Sequence, residues 1–155
     1  MNHKAVIGSL ALALAAPVGA QEAYTWMFNF DSDTAVLQYG TPESDDAVLV
    51  IACDPGKKSM HINEFSGAAG LVPGRTARLK LGNGTAFVDY AGQTVANEMD
   101  GTVNIEVSVA VDPKLIALLK AGATLTVEIA GKQTAIPLKD AAPHVAEFEK
   151  ACLRR

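Results

Sequence analysis

The sequence predicts a mainly β protein: an antiparallel β-sandwich or small barrel of about eight or nine short strands, with one short helix and a C-terminal helix. Three observations predict it. Apolar residues recur with period two in short runs, as in "TVNIEVSVAV", where Val103, Ile105, Val107 and Val109 alternate with Asn104, Glu106 and Ser108. Turn signals such as Pro55-Gly56, Asn83-Gly84 and Asp100-Gly101 separate those runs. Helical spacing occurs in only two mature segments, "DPKLIALLKAG" and "DAAPHVAEFEKACL".

The elements follow in order. "MNHKAVIGSLALALAAPVGA" has a basic start, an apolar run broken by Pro17, and small residues at Val18 and Ala20. This is the layout of a secretory signal peptide over residues 1–20, and its apolar run is shorter than the ~20 residues that span a bilayer. Residues 21–155 then form a single β-rich domain with a C-terminal helix, near the commonest domain size. "YTWMFNF" and "AVLQYG" read as strands, the first placing Tyr24, Trp26 and Phe28 on one face. "AVLVIAC" reads as a strand buried by its continuous apolar character. "DPGKK" is a turn, and "SMHINEF" a strand with Met60, Ile62 and Glu64 on one side and His61, Asn63 and Phe65 on the other. "SGAAGLVPG" is a glycine-rich loop offering Leu71 and Val72 as contact residues. "TARLKL" and "TAFVDYA" flank Asn83-Gly84, a hairpin signal that calls for positive φ at both central residues. A turn at Ala91-Gly92 is expected before "QTVANEM". Asp112 and Pro113 open the short helix and Gly122 suits its exit. "ATLTVEIA" and "KQTAIPL" are strands joined at Gly131-Lys132, with Pro137 marking an edge. Asp140 starts the last helix, with Pro143 in its first turn.

Composition excludes some functions. Loss of the leader takes away Lys4 and moves the net charge from −4 to −5. Such a balance lacks the basic footprint that nucleic acid requires, and after cleavage no stable membrane insertion is expected. Two cysteines in an exported chain pair more readily than they stay free. Cys53 shares a strand face with Leu49 and Ile51, and Cys152 shares a helix face with Val145 and Phe148. A Cys53–Cys152 disulfide is therefore expected, closing a loop of about 100 residues and worth about 4–5 kcal/mol by chain entropy.

No catalytic signature is present. G-x-S-x-G is missing, and "DPGKKS" has Ile51 where a phosphate loop needs glycine. His61 and His144 are the histidines of the mature chain. His61 with Glu64 or another acid is the candidate general-base pair, and Met60, His61 and Met99 are the candidate soft-metal donors; neither spacing matches an established motif, so no metal and no cofactor is assigned. Asp31-Ser32-Asp33 and Glu43-Ser44-Asp45-Asp46 lack the glycine and closing glutamate of a calcium loop and read as solvated turns. Trp26, in its aromatic cluster, and His61 are the candidate binding residues.

In layout the chain resembles small exported bacterial envelope proteins of the invasion-associated locus B group. The features that carry the resemblance are the leader, Trp26 soon after it, "LVIAC", "LIALLKAGATLTVEIAG" and the terminal "FEKAC". It implies a β-rich envelope protein that engages host or assembly partners, and it transfers no binding residue. The expected function is a periplasmic or secreted non-catalytic interaction module with an envelope or host protein as partner. The alternatives are a small periplasmic hydrolase using a His–carboxylate pair, and a small-molecule carrier with a pocket inside the β domain.

Overall fold

The computed structural model describes residues 23–98 and 101–153; the expected leader and Met99 lie outside them. Among the described residues nine strands form one antiparallel sheet: β1 (Thr25–Asp31), β2 (Thr34–Gly40), β3 (Ala47–Asp54), β4 (Ser59–Glu64), β5 (Thr76–Gly82), β6 (Phe87–Ala96), β7 (Val103–Ala110), β8 (Thr124–Ile129) and β9 (Lys132–Pro137). Their spatial order is β1-β2-β3-β4-β7-β6-β5-β8-β9. The sheet curls into a half-barrel. Two helices, α1 (Pro113–Leu119) and α2 (Ala141–Cys152), complete the fold.

Period-two patterning decides which face of the sheet is filled. Opposite residues in an antiparallel ladder share a face, so Trp26, Tyr39, Leu49, Glu64 and Ile105 form one inward row across β1, β2, β3, β4 and β7. The next inward rows carry Leu37, Ile51, Ile62 and Val107, then Ala35, Cys53 and Met60, all buried. β3 corrects the sequence reading: Leu49, Ile51 and Cys53 are buried, whereas Val48, Val50 and Ala52 are half-buried. Among the described residues no layer covers the convex side there, so its second face is only partly shielded from solvent.

The helices supply the rest of the core. Asp112 caps α1 by accepting from the Lys114 N–H, and Tyr90 Oη donates to the same carboxylate at 2.7 Å. α2 buries Ala141, Val145, Phe148 and Cys152, one face at successive helical turns. It packs on β1 and β2, and the Cys53–Cys152 disulfide ties its end to β3 with the two Cα atoms 5.9 Å apart.

Two turns differ from expectation. Gly92 lies inside β6, not at a turn. A Cβ there would meet the Glu106 carbonyl oxygen at 2.7 Å and the Ile105 and Val107 side chains at 2.8 Å, so glycine allows β6 to lie close against β7. The β5–β6 hairpin exists, but only Gly84 of the Asn83-Gly84 pair has positive φ. Asn83 Oδ1 instead accepts from the Thr85 and Ala86 N–H groups and the Thr85 hydroxyl, and its Nδ2 donates to the Leu118 and Ala121 carbonyls. That one amide builds a wider loop and satisfies the exit of α1. Positive φ at both central residues occurs at Ala130 and Gly131, between β8 and β9, so Lys132 opens a strand.

Candidate functional site

The inward row at one end of the half-barrel finishes on a carboxylate. Glu64 is 0 % exposed, because period two continues the Met60, Ile62 face to the last residue of β4. A buried carboxylate needs donors, and the chain supplies them by turning back at once. Glu64 accepts from the Ser66 and Gly67 N–H groups, each at 3.0 Å, and from the Ser66 hydroxyl. Gly67 permits the turn: its φ is +54°, and a Cβ would come within 2.6 Å of the Val103 carbonyl oxygen. Burial raises the Glu64 pKa above the ordinary glutamate range, opposed by these hydrogen bonds and by the charge of Lys132.

β9 crosses this end of the barrel. Lys132 Nζ donates to the Ser66 and Gly67 carbonyls at 2.8 and 2.9 Å, and the Thr134 hydroxyl lies 3.5 Å from that of Ser66. At the far end of β9, Trp26 Nε1 donates to the Pro137 carbonyl at 2.8 Å. Side chains thus tie β9 to the turn after β4 and, at one point, to β1, although β1 and β9 form no ladder.

Ser66 opens on two clefts. One, of about 460 Å³, is lined by Tyr24, Asp46, Phe65 and Asn97; the other, of about 320 Å³, by Ala68, Gly101, Thr102 and Lys132. From Ser66 the chain runs to β5 over the top of β6. Buried Thr94 anchors the far end: its hydroxyl lies 2.6 Å from the Val72 carbonyl oxygen and accepts from the Arg75 N–H, while its carbonyl accepts from the Gly74 N–H. Between the anchors Ala68 and Leu71 pack on the core, and Val72 is 58 % exposed.

The candidate residues from sequence occupy different places. Trp26 is 2 % exposed, stacked at a tilt on Tyr39 with ring centroids 5.4 Å apart. His61 is exposed on the convex face, its Nδ1 3.0 Å from the Ser108 hydroxyl. Trp26 and His61 therefore stand on opposite faces of the sheet. So do His61 and Glu64, three residues apart on one strand, so that acid–base pair does not assemble. Met60 points inward and His61 outward, which also separates the proposed soft-metal donors. His144 is half-buried in the first turn of α2. Among the described residues no group of three or more His, Cys, Asp or Glu side chains is placed to hold a metal. The acidic segments are turns: Asp46 accepts from Tyr24 Oη and the Thr41 hydroxyl, which raises the tyrosine pKa. The concave side, which a carrier would need open, is filled by Trp26, Leu37, Ile51, Ile105 and Phe148.

The sequence places Ser66 only within the glycine-rich loop "SGAAGLVPG" and does not reveal its role beside Glu64. The available signal was an acid at an inward strand position with Ser-Gly starting two residues later. Lys132 carried no such signal, since its partners are main-chain carbonyls more than sixty residues away.

Comparison with known proteins gives no matching family model, no matching curated protein and no matching solved structure. Among the described residues no helix is long and apolar enough to cross a membrane.

Proposed function

We propose that this protein is an exported interaction module that binds an envelope or host protein through the loop between β4 and β5. The observation that carries this reading is the construction of that loop. Residues 66–75 are fixed at one end by Glu64 and Lys132 and at the other by Thr94, yet they present Val72 to solvent. A long loop held rigidly at both ends, with an apolar tip, loses little conformational freedom on binding, which favours recognition. Export is supported by the disulfide, which persists in oxidising compartments, and by the leader-like first 20 residues. The expected resemblance in layout to small exported envelope proteins is consistent with this reading.

The test places a photo-crosslinking residue at Val72 in the full chain and, as a control, at Arg78 on the convex face. Exposure to envelope extract should give a discrete adduct from position 72 that Val72→Asp protein fails to compete away. Adducts of equal yield from both positions would refute binding through this loop. Native protein with an uncleaved leader or two alkylatable thiols would refute export.

A further inference from the structure

The two edges of the sheet are not equally protected. β9 begins with a lysine whose ammonium is committed to main-chain carbonyls, ends in proline, and lies against the Ser66–Gly67 turn. Lysine, proline and covering loops are how sheet edges avoid pairing with other chains. β1 has none of these devices. From Thr25 to Phe30 it holds no proline, glycine or charge. α2 packs on β1 beside its buried face, and Asn29, Phe30 and Asp31 are exposed, Phe30 at 55 %.

The strand is also matched to itself. In "TWMFNFD" the aromatics fall at 26, 28 and 30, symmetric about Phe28. Two copies aligned antiparallel on a twofold axis through Phe28 set Trp26 against Phe30, Phe28 against Phe28 and Met27 against Asn29. Residues opposite each other in an antiparallel ladder share a face, so the inward aromatics of one copy continue those of the other and both outward pairs meet on the convex side. A slip by one residue would break this match.

We propose that the chain self-associates as a twofold dimer through β1, joining two half-barrels into one continuous sheet. One seven-residue strand per copy is a small interface, below the roughly 1,200 Å² of stable complexes. The dimer is therefore weak and depends on concentration.

Sedimentation velocity of the disulfide-bonded protein across a concentration series tests this. The weight-average sedimentation coefficient should rise toward the dimer value as concentration increases. Met27→Lys with Asn29→Lys puts like charges at both outward pairs, where facing Cβ atoms stand about 5 Å apart, and should weaken association at least tenfold. Met27→Glu with Asn29→Lys puts opposite charges at the same pairs and should restore it to the wild-type level or above. Unchanged melting temperatures show that both variants fold. A monomer up to ~1 mM, the weak end of specific affinity, overturns the proposal. So does a dimer indifferent to both variants, or one weakened equally by each.

Discussion

Replacing Glu64 tests the physical account of the barrel end most directly. The carboxylate is fully buried and accepts from two main-chain N–H groups and one hydroxyl. Glu64→Ala leaves those donors buried without an acceptor, at about 1–3 kcal/mol each. The losses overlap, so about 3–5 kcal/mol is expected, typical of breaking a buried charged network. Glu64→Gln keeps the shape and one acceptor oxygen but turns donors toward the Gly67 N–H. It also removes the cost of burying a charge, so it should lie within about 1–2 kcal/mol of wild type. The pH dependence separates the two effects. Burial outweighs the hydrogen bonds and raises the pKa of the folded state. The stability Glu64 contributes is then complete below the ordinary glutamate range, about 4.3, and is lost as pH rises through the raised folded value. Each tenfold gain in proton affinity is worth about 1.4 kcal/mol. Urea denaturation of wild type and Glu64→Gln between pH 4 and 8 measures the difference. Wild type should lose stability relative to Gln as pH rises. A difference that grows in favour of wild type would mean that the hydrogen bonds outweigh desolvation, and would refute the reasoning.

Other substitutions follow from the same contacts. Cys152→Ser removes a clasp across 99 residues of sequence and should lower stability by about 4–5 kcal/mol in urea denaturation of oxidised protein, with reductant lowering wild type but not the variant. Gly92→Ala forces a methyl against the Glu106 carbonyl and the Ile105 and Val107 side chains, so a loss of about 1–3 kcal/mol is expected from overpacking; an unchanged melting temperature would show that β7 yields. Asn83→Ala should cost about 2 kcal/mol, because it undoes the hairpin loop and frees two carbonyls at the exit of α1. Hydrogen exchange should quicken in α1 as well as in the loop.

The local pattern made most of the fold legible. Alternation located β7 and placed Met60, Ile62 and Glu64 on one face, and helical spacing put Val145, Phe148 and Cys152 on another. The disulfide followed because both cysteines were read as facing inward in an oxidising context. What failed depended on distant partners. Asn83-Gly84 carries the tightest hairpin signal, yet the asparagine amide is drawn to α1 and opens the loop. Gly92 has the look of a turn, but the close approach of β7 explains it, and that neighbour is not visible in the local sequence. The Glu64 site was half legible: the inward acid and Ser-Gly were in plain view, while Lys132 arrives only through the curl of the sheet.

That curl bears on why the barrel end is built from polar side chains. A closed barrel joins its first and last strands by a ladder, with main-chain pairs sharing the load. Here β1 and β9 have no ladder, and side chains hold β9 in place instead: the Trp26 indole of β1 bonds the Pro137 carbonyl, and the Lys132 ammonium bonds the Ser66 and Gly67 carbonyls of the loop after β4. These bonds also satisfy main-chain carbonyls at that end of the molecule. A few such bonds resist opening less than a continuous ladder does, and the disulfide answers this by holding α2 across β1 and β2 to β3. The covalent tie therefore stabilises the side of the sheet where main-chain pairing stops, and it leaves the outer edge of β1 without a ladder partner among the described residues.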